Sequence, residues 1–215
     1  MRIVLAVVMA ALAGCSSLPG TADPASDAPD ARAPNGAPFT QAPSYGESLR
    51  LWRDAGDVNA WIGARFQYDL SRALQLSETQ RQKNGHMPIL TPEALFAAPS
   101  GVCVDLARFA VETLRVVDPG AKPAYLMIEF DPVSIAGNTL RRHWVASFER
   151  DGKRYFFADS KRPGHVAGPY GSTPEFIADY TRYRGRQIVS FREVESYERK
   201  ARALAARQPR SERRE

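Results

Sequence analysis

Cysteine is scarce in this chain, two residues in 215, and histidine is nearly as scarce at three. Thiol chemistry can therefore come only from Cys15 or Cys103, and an imidazole base only from His86, His143 or His165. No internal repeat is present. Nor does the N-terminal apolar run, Ile3 to Ala11, reach the length of a permanent transmembrane anchor. The formal charge of +5 is not a distributed basic surface either. Arg199 to Glu215 holds seven basic and two acidic residues and so carries the whole excess; the rest of the chain after Gly14 is near −1. A basic terminus of this kind is a solvated end or a contact for anionic headgroups. With export implied by the N-terminus, no nucleic-acid partner is expected.

Arg2, the apolar run and then Leu12-Ala13-Gly14-Cys15 resemble the signal peptide and lipobox of bacterial lipoproteins. The resemblance implies cleavage before Cys15, lipidation of that cysteine and attachment to a membrane through acyl chains. By the same resemblance, Ser16 after the cysteine implies sorting to the outer membrane, with the protein facing the periplasm. The segments expected are a signal peptide over 1–14, a lipidated tether over 15–44, a domain over 45–198 and a basic tail over 199–215. Prolines 19, 24, 29, 34, 38 and 43 stand among Ala, Asp, Gly and Ser in the tether, a composition that extends rather than packs. About 150 residues remain, enough for one core.

Within the domain, Leu49, Trp52, Ala60, Trp61, Ala64, Phe66 and Leu70 recur at helical spacing, with Gly56 and Gly63 as interruptions. Ser77 to Gly85 reads as a polar loop, and Thr91-Pro92 starts a short helix. A longer helix follows Ser100-Gly101, with Val102, Leu106, Phe109, Ala110, Thr113 and Leu114 on one face. Four strands come next, "PAYLMIEF", "RHWVASFE", "KRYFFAD" and "RQIVSFREV", with a helix "TPEFIADYTRY" capped by Thr173 before the last. Helices first and an antiparallel run afterwards make an α+β fold.

With Cys15 committed to lipid, Cys103 has no disulfide partner. A single cysteine in an oxidising compartment is either buried and inert or retained for its reactivity. Cys103 opens the long helix, where unpaired N–H groups and the helix dipole favour a thiolate and can also hold an oxyanion. His86 and His165 lie in glycine- and proline-flanked loops, whereas His143 opens a strand. Its partner depends on the hairpin about Asp151-Gly152. A two-residue type I′ turn would set Asp159 opposite Trp144, on the wrong face; a three-residue loop would pair Val145 with Phe157 and His143 with Asp159. The second register is the one expected here, because it sets a carboxylate against the imidazole and fixes its tautomer.

The order "TPEALFAAPSGVCVDLARF", "HWVASF", "YFFADS" resembles the transglutaminase-like cysteine peptidases, a papain-like superfamily, and within it a bacterial periplasmic branch. The resemblance implies Cys103 as nucleophile, His143 as general base and acid, and Asp159 as the orienting carboxylate of a catalytic triad. It implies a thiol protease or amidase acting on a periplasmic or surface protein through a thioester. The alternatives are a transamidase, and a silent scaffold lipoprotein using the loops "DPVSIAGNT" and "KRPGHVAGPYGSTP". Cell-wall cysteine peptidases share the lipoprotein setting, but their Asp-Cys-Ser-Gly signature is missing. Relatives that cleave adhesins often carry an acidic pair around the cysteine that helps hold calcium. Here Val102 and Val104 flank it and only Asp105 is a calcium candidate, so no cofactor is expected. Asn59, Trp61 and Gln67 are upstream candidates for an oxyanion-hole side chain, none marked out by a motif.

Overall fold

The computed structural model describes residues 25–30, 38–85 and 87–197. The segment 1–14 read as a signal peptide, Cys15, His86 and the tail 199–215 lie outside them. One serine and two aspartates set the first helices: Ser44 caps α1 (Tyr45–Leu51), Asp54 caps α2 (Ala55–Arg65), and after the two-residue β1 (Gln67–Tyr68) Asp69 caps α3 (Leu70–Gln75). The breaks fall at these caps and not at Gly56 or Gly63, which lie inside α2. The stretch read as a polar loop is helix α4 (Glu78–Asn84), nucleated by Ser77, whose hydroxyl accepts from the Gln80 backbone. Its face pattern is too polar to signal burial, but the Ser-x-x-Gln start was a usable cue. Thr91 caps α5 (Pro92–Ala97) as expected, and β2 (Ser100–Gly101) pairs in parallel with β1.

Helix α6 (Cys103–Val117) buries Leu106, Phe109, Ala110, Thr113 and Leu114, the expected face. After a 3-10 turn at Pro119–Ala121 come β3 (Ala124–Ile135) and β4 (Asn138–Arg150). These strands run past the expected segments, because "DPVSIAGNT" is no loop but the tip of their hairpin, turning at Ala136 and Gly137 with φ of 48° and 74°. Then come β5 (Lys153–Phe157), the unexpected short strand β6 (Ala167–Tyr170), α7 (Thr173–Arg184) and β7 (Ile188–Val194). Ser172, not Thr173, caps α7, since Thr173 is already its first residue. The five strands form an antiparallel sheet in the order β6-β5-β4-β3-β7, and the fold is α+β.

Each face of the sheet has its own core. On one side Tyr125, Ala146, Phe148 and Phe157 meet α6 and the early helices, with Trp61 stacked on Phe109 at 4.5 Å. On the other, Leu126, Ile128, Val145 and Phe156 meet Phe176, Ile177 and Tyr180 of α7. Burying large side chains of this kind contributes roughly 1.5–3 kcal/mol each, which fixes the sheet between the two helical layers. Among the described residues no helix is long and apolar enough to cross a membrane.

Candidate functional site

The β4–β5 hairpin contradicts the expected register. Arg150 pairs with Lys153 and Ala146 with Phe157, so Asp151-Gly152 is a two-residue turn, with φ of 53° and 69°. Positive φ at both central positions is the type I′ geometry, whose twist matches that of the flanking strands. In a continued strand Asp159 would then face away from His143. It does not, because the strand ends at Phe157 and Ala158 takes a left-handed φ of 56°. Phe157 and Ala158 consequently both enter the α6-side core, the alternation is broken, and Asp159 emerges on the face of His143 and α7. Its carboxylate Oδ1 lies 2.9 Å from His143 Nε2. The pair expected from the sequence is thus present, reached by a backbone kink instead of by register.

His143 is fully buried and stacked beside Tyr180, the ring centroids 5.9 Å apart. Tyr180 donates to Asp159 Oδ2 at 3.0 Å and receives from Arg184 Nη1 at 3.1 Å, while the Lys161 backbone N–H donates to Asp159 Oδ1 at 2.9 Å. Burial by itself would raise the Asp159 carboxyl, but His143, Arg184 and Arg162 outweigh it and hold it below the ordinary carboxylate range. An ionised carboxylate only accepts, so Nε2 carries a proton toward Asp159, and Nδ1 points to the opposite side, where the thiol lies.

Cys103 comes to that nitrogen from the other helical layer. The last β4–β5 pair is Ala146 with Phe157, so the start of β4 has no β5 partner, and the N-terminus of α6 sits against this vacated edge. There the Trp144 backbone N–H points to the Cys103 sulfur. Asp105 holds the helix start in place: its fully buried carboxylate accepts from Val102 N at 3.0 Å, Leu90 N at 2.8 Å, Arg72 Nε at 2.7 Å and Arg72 Nη2 at 2.9 Å. Every side of the carboxylate is used, so Asp105 does not fit a calcium ligand.

A fourth group, not foreseen, joins Cys103, His143 and Asp159. Asp27, from the stretch read as tether, sets one carboxylate oxygen 2.8 Å from Arg184 Nη2 and the other 3.2 Å from His143 Nδ1. Ligand atoms of Asp27, Cys103 and His143 all lie within 4.8 Å of one another. The segment is pinned at further points: Ala25 O accepts from Arg186 at 3.2 Å, and Asp30 receives Lys161 Nζ at 2.9 Å and the Tyr183 hydroxyl at 2.7 Å. A cavity of about 1600 Å³ opens here, with Asp27, Tyr68, Cys103, Met127 and Trp144 among its walls. Nothing in the composition of 25–30 marks it as a packing segment, and its two acids, Asp27 and Asp30, are the one feature suited to cationic partners. Tyr180 and Arg184 were equally hidden, since their spacing in α7 is that of any helix face.

The electrostatics differ from those of a poised thiolate. Burial pushes the Cys103 thiol above its ordinary 9.0, and the Asp27 charge adds to this against the opposing influence of His143. Burial would lower the His143 pKa, but the charges of Asp27 and the groups around it raise it well above 6.5. Asp27, which burial alone would raise, is brought down to about 2 by His143 and Arg184. With Asp27 in place the imidazolium is paired with carboxylates and the thiol stays neutral, contrary to the depressed thiol expected from helix position alone.

A pH signature follows by linkage. Asp27 is depressed, so its contribution to stability is full above 3.8 and lost as pH falls toward about 2. His143 is raised, so its share is full below 6.5 and lost as pH rises through its folded value. Thermal melts should show the largest gap between the native chain and Asp27→Asn from about pH 4 to pH 6.5. The gap should narrow on both sides, keeping at high pH the part due to Arg184.

The remaining candidates lie elsewhere. His165 is exposed in its loop. Asn59 donates to Gly164 O at 2.8 Å and so braces the loop after Asp159, Trp61 belongs to the aromatic core, and Gln67 is exposed in β1. Asp27, Cys103 and His143 could together hold a thiophilic divalent metal such as zinc, with Asp159 behind the histidine. Arg184 already neutralises the Asp27 carboxylate, which opposes a second cation there. No family model, curated protein or solved structure matches the chain.

Proposed function

We propose that the domain is a thiol hydrolase, a cysteine peptidase or amidase of transglutaminase-like type, with Cys103 as nucleophile, His143 as base and acid, and Asp159 as orienting carboxylate. The observation that carries the reading is the two-sided use of one buried imidazole: Nε2 is bound to Asp159, and Nδ1 faces a thiol at a helix N-terminus. In the reaction, once Asp27 has left Nδ1 and the imidazole is neutral, His143 takes the thiol proton and the sulfur bonds to the carbonyl carbon. The amine leaves with its bonding pair and the proton from Nδ1, giving a thioester. Water then adds, returns a proton to His143, and the sulfur leaves as the acid is released. An amine in place of water would make the same site a transamidase. The setting proposed is a lipid-anchored chain on the outer membrane with the domain in the periplasm and a protein or peptide as substrate.

Iodoacetamide labelling of Cys103 across pH tests this, using the Asp27→Ala chain so that the thiol and imidazole face each other without an intervening carboxylate. Coupled groups should give a reactive plateau well below pH 9.0, lost when His143 is also replaced. A rate that simply rises through pH 9, indifferent to His143, would point to the scaffold reading.

A further inference from the structure

The proposed site as described so far has no side chain to stabilise the oxyanion, and Asp27 shows where one would act. Its carboxylate carbon carries two oxygens, one facing His143 Nδ1 at 3.2 Å and the other facing Arg184 Nη2 at 2.8 Å, beside the Cys103 sulfur. An acyl group attacked by that sulfur must offer the same two contacts, a leaving or entering atom to the imidazole and a carbonyl oxygen to a donor. A carboxylate in this position is the shape of the hydrolysis product. We infer that Arg184 is the oxyanion donor of this thiol hydrolase and that Asp27 is the chain's own occupant of the acyl position. The inference rests on the proposed function and deepens it.

Arg184 is built for the role. The residue is 1% exposed, reaches the site from the last turn of α7, and has Nη1 on the Tyr180 hydroxyl at 3.1 Å, while Nη2 donates to Asp27 Oδ1 at 2.8 Å and lies 3.4 Å from Ser26 O, so that it points to the acyl position. A donor held in advance and shielded from water stabilises developing charge without reorganising during the step. When sulfur adds to the carbonyl carbon, the π pair moves onto oxygen, and Arg184 Nη2 meets that charge. The pair returns when the leaving group departs, and the same cycle repeats as water resolves the thioester. Segment 25–30 must withdraw first, because Asp27 and an acyl group cannot share the position.

Two reagents separate this role from a structural one. p-Nitrophenyl acetate acylates the thiol through an oxyanion and releases p-nitrophenolate, whereas iodoacetamide alkylates the same sulfur by displacing iodide, with no oxyanion. Limiting rates above the thiol titration are compared in the full chain carrying Asp27→Ala, alone and with Arg184→Gln. The expected result is a fall of about 10²–10³ in acylation with alkylation within about tenfold. Arg184→Lys, which keeps the cation and gives a second variant should glutamine at this buried position unfold the chain, should lower the acylation-to-alkylation ratio by about tenfold or more. An unchanged ratio, or an equal loss of both rates, overturns the role of Arg184 while leaving the thiol hydrolase standing. Failure of iodoacetamide to reach Cys103 in every folded variant overturns both.

Discussion

Asp105→Ala is expected to cost the domain about 3–5 kcal/mol of unfolding free energy, read as a drop in the denaturant midpoint. The side chain is fully buried, and its loss strands two backbone N–H groups and the side of Arg72 that it holds. Removing one partner of a buried pair is costly because the other remains desolvated, unlike the loss of an exposed pair. Of a typical 5–15 kcal/mol total, this is a large share. The effect also reaches the site, since Asp105 joins the loop at Leu90, helix α3 through Arg72 and the first turn of α6 in one junction. Gly101 allows that junction to close: a Cβ there would stand 3.1 Å from the Cβ of Asp105 and 3.1 Å from Leu95. Asp105→Asn should retain part of the stability because it keeps an acceptor, and a loss under about 1 kcal/mol on Asp105→Ala would contradict this account.

His143→Ala is expected to lower turnover of p-nitrophenyl acetate by 10²–10⁴-fold in the Asp27→Ala chain. The fold should survive, because Asp159 retains the Lys161 N–H, the Tyr180 hydroxyl and Arg162 as partners. In the proposed mechanism the loss is chemical, because Nδ1 is the group that takes and returns the thiol proton. Added imidazole should therefore restore part of the rate by entering the space the ring vacates, a rescue that a purely structural histidine would not show. A turnover unchanged by the substitution would remove His143 from the mechanism.

The helices and the sheet were legible where burial is periodic. α6 has an apolar face and a Ser-Gly start, and the strands carry β-branched and aromatic residues at period two. The polar helix α4 escaped notice because it buries little, and the β3–β4 tip because Asp131, Pro132 and Gly137 read as loop chemistry. The site was partly legible. Cys103, His143 and Asp159 stood out by chemistry and order, yet the register proposed to join them was wrong. What joins them is a left-handed Ala158, a residue type that gives no local warning of positive φ. Asp27 and Arg184 were beyond reach of the sequence for a different reason: their pairing spans 157 residues and is decided by how α7 packs on the sheet.

The central claim is that Cys103 forms an acyl intermediate through His143. Its most direct test is the mass of the Cys103 peptide after brief exposure of the folded Asp27→Ala chain to p-nitrophenyl acetate. An acetyl thioester on Cys103 that forms in the Asp27→Ala chain, and far more slowly when His143 is also replaced, is the predicted result. A Cys103 that stays unmodified, or acetylates equally fast without His143, would contradict it.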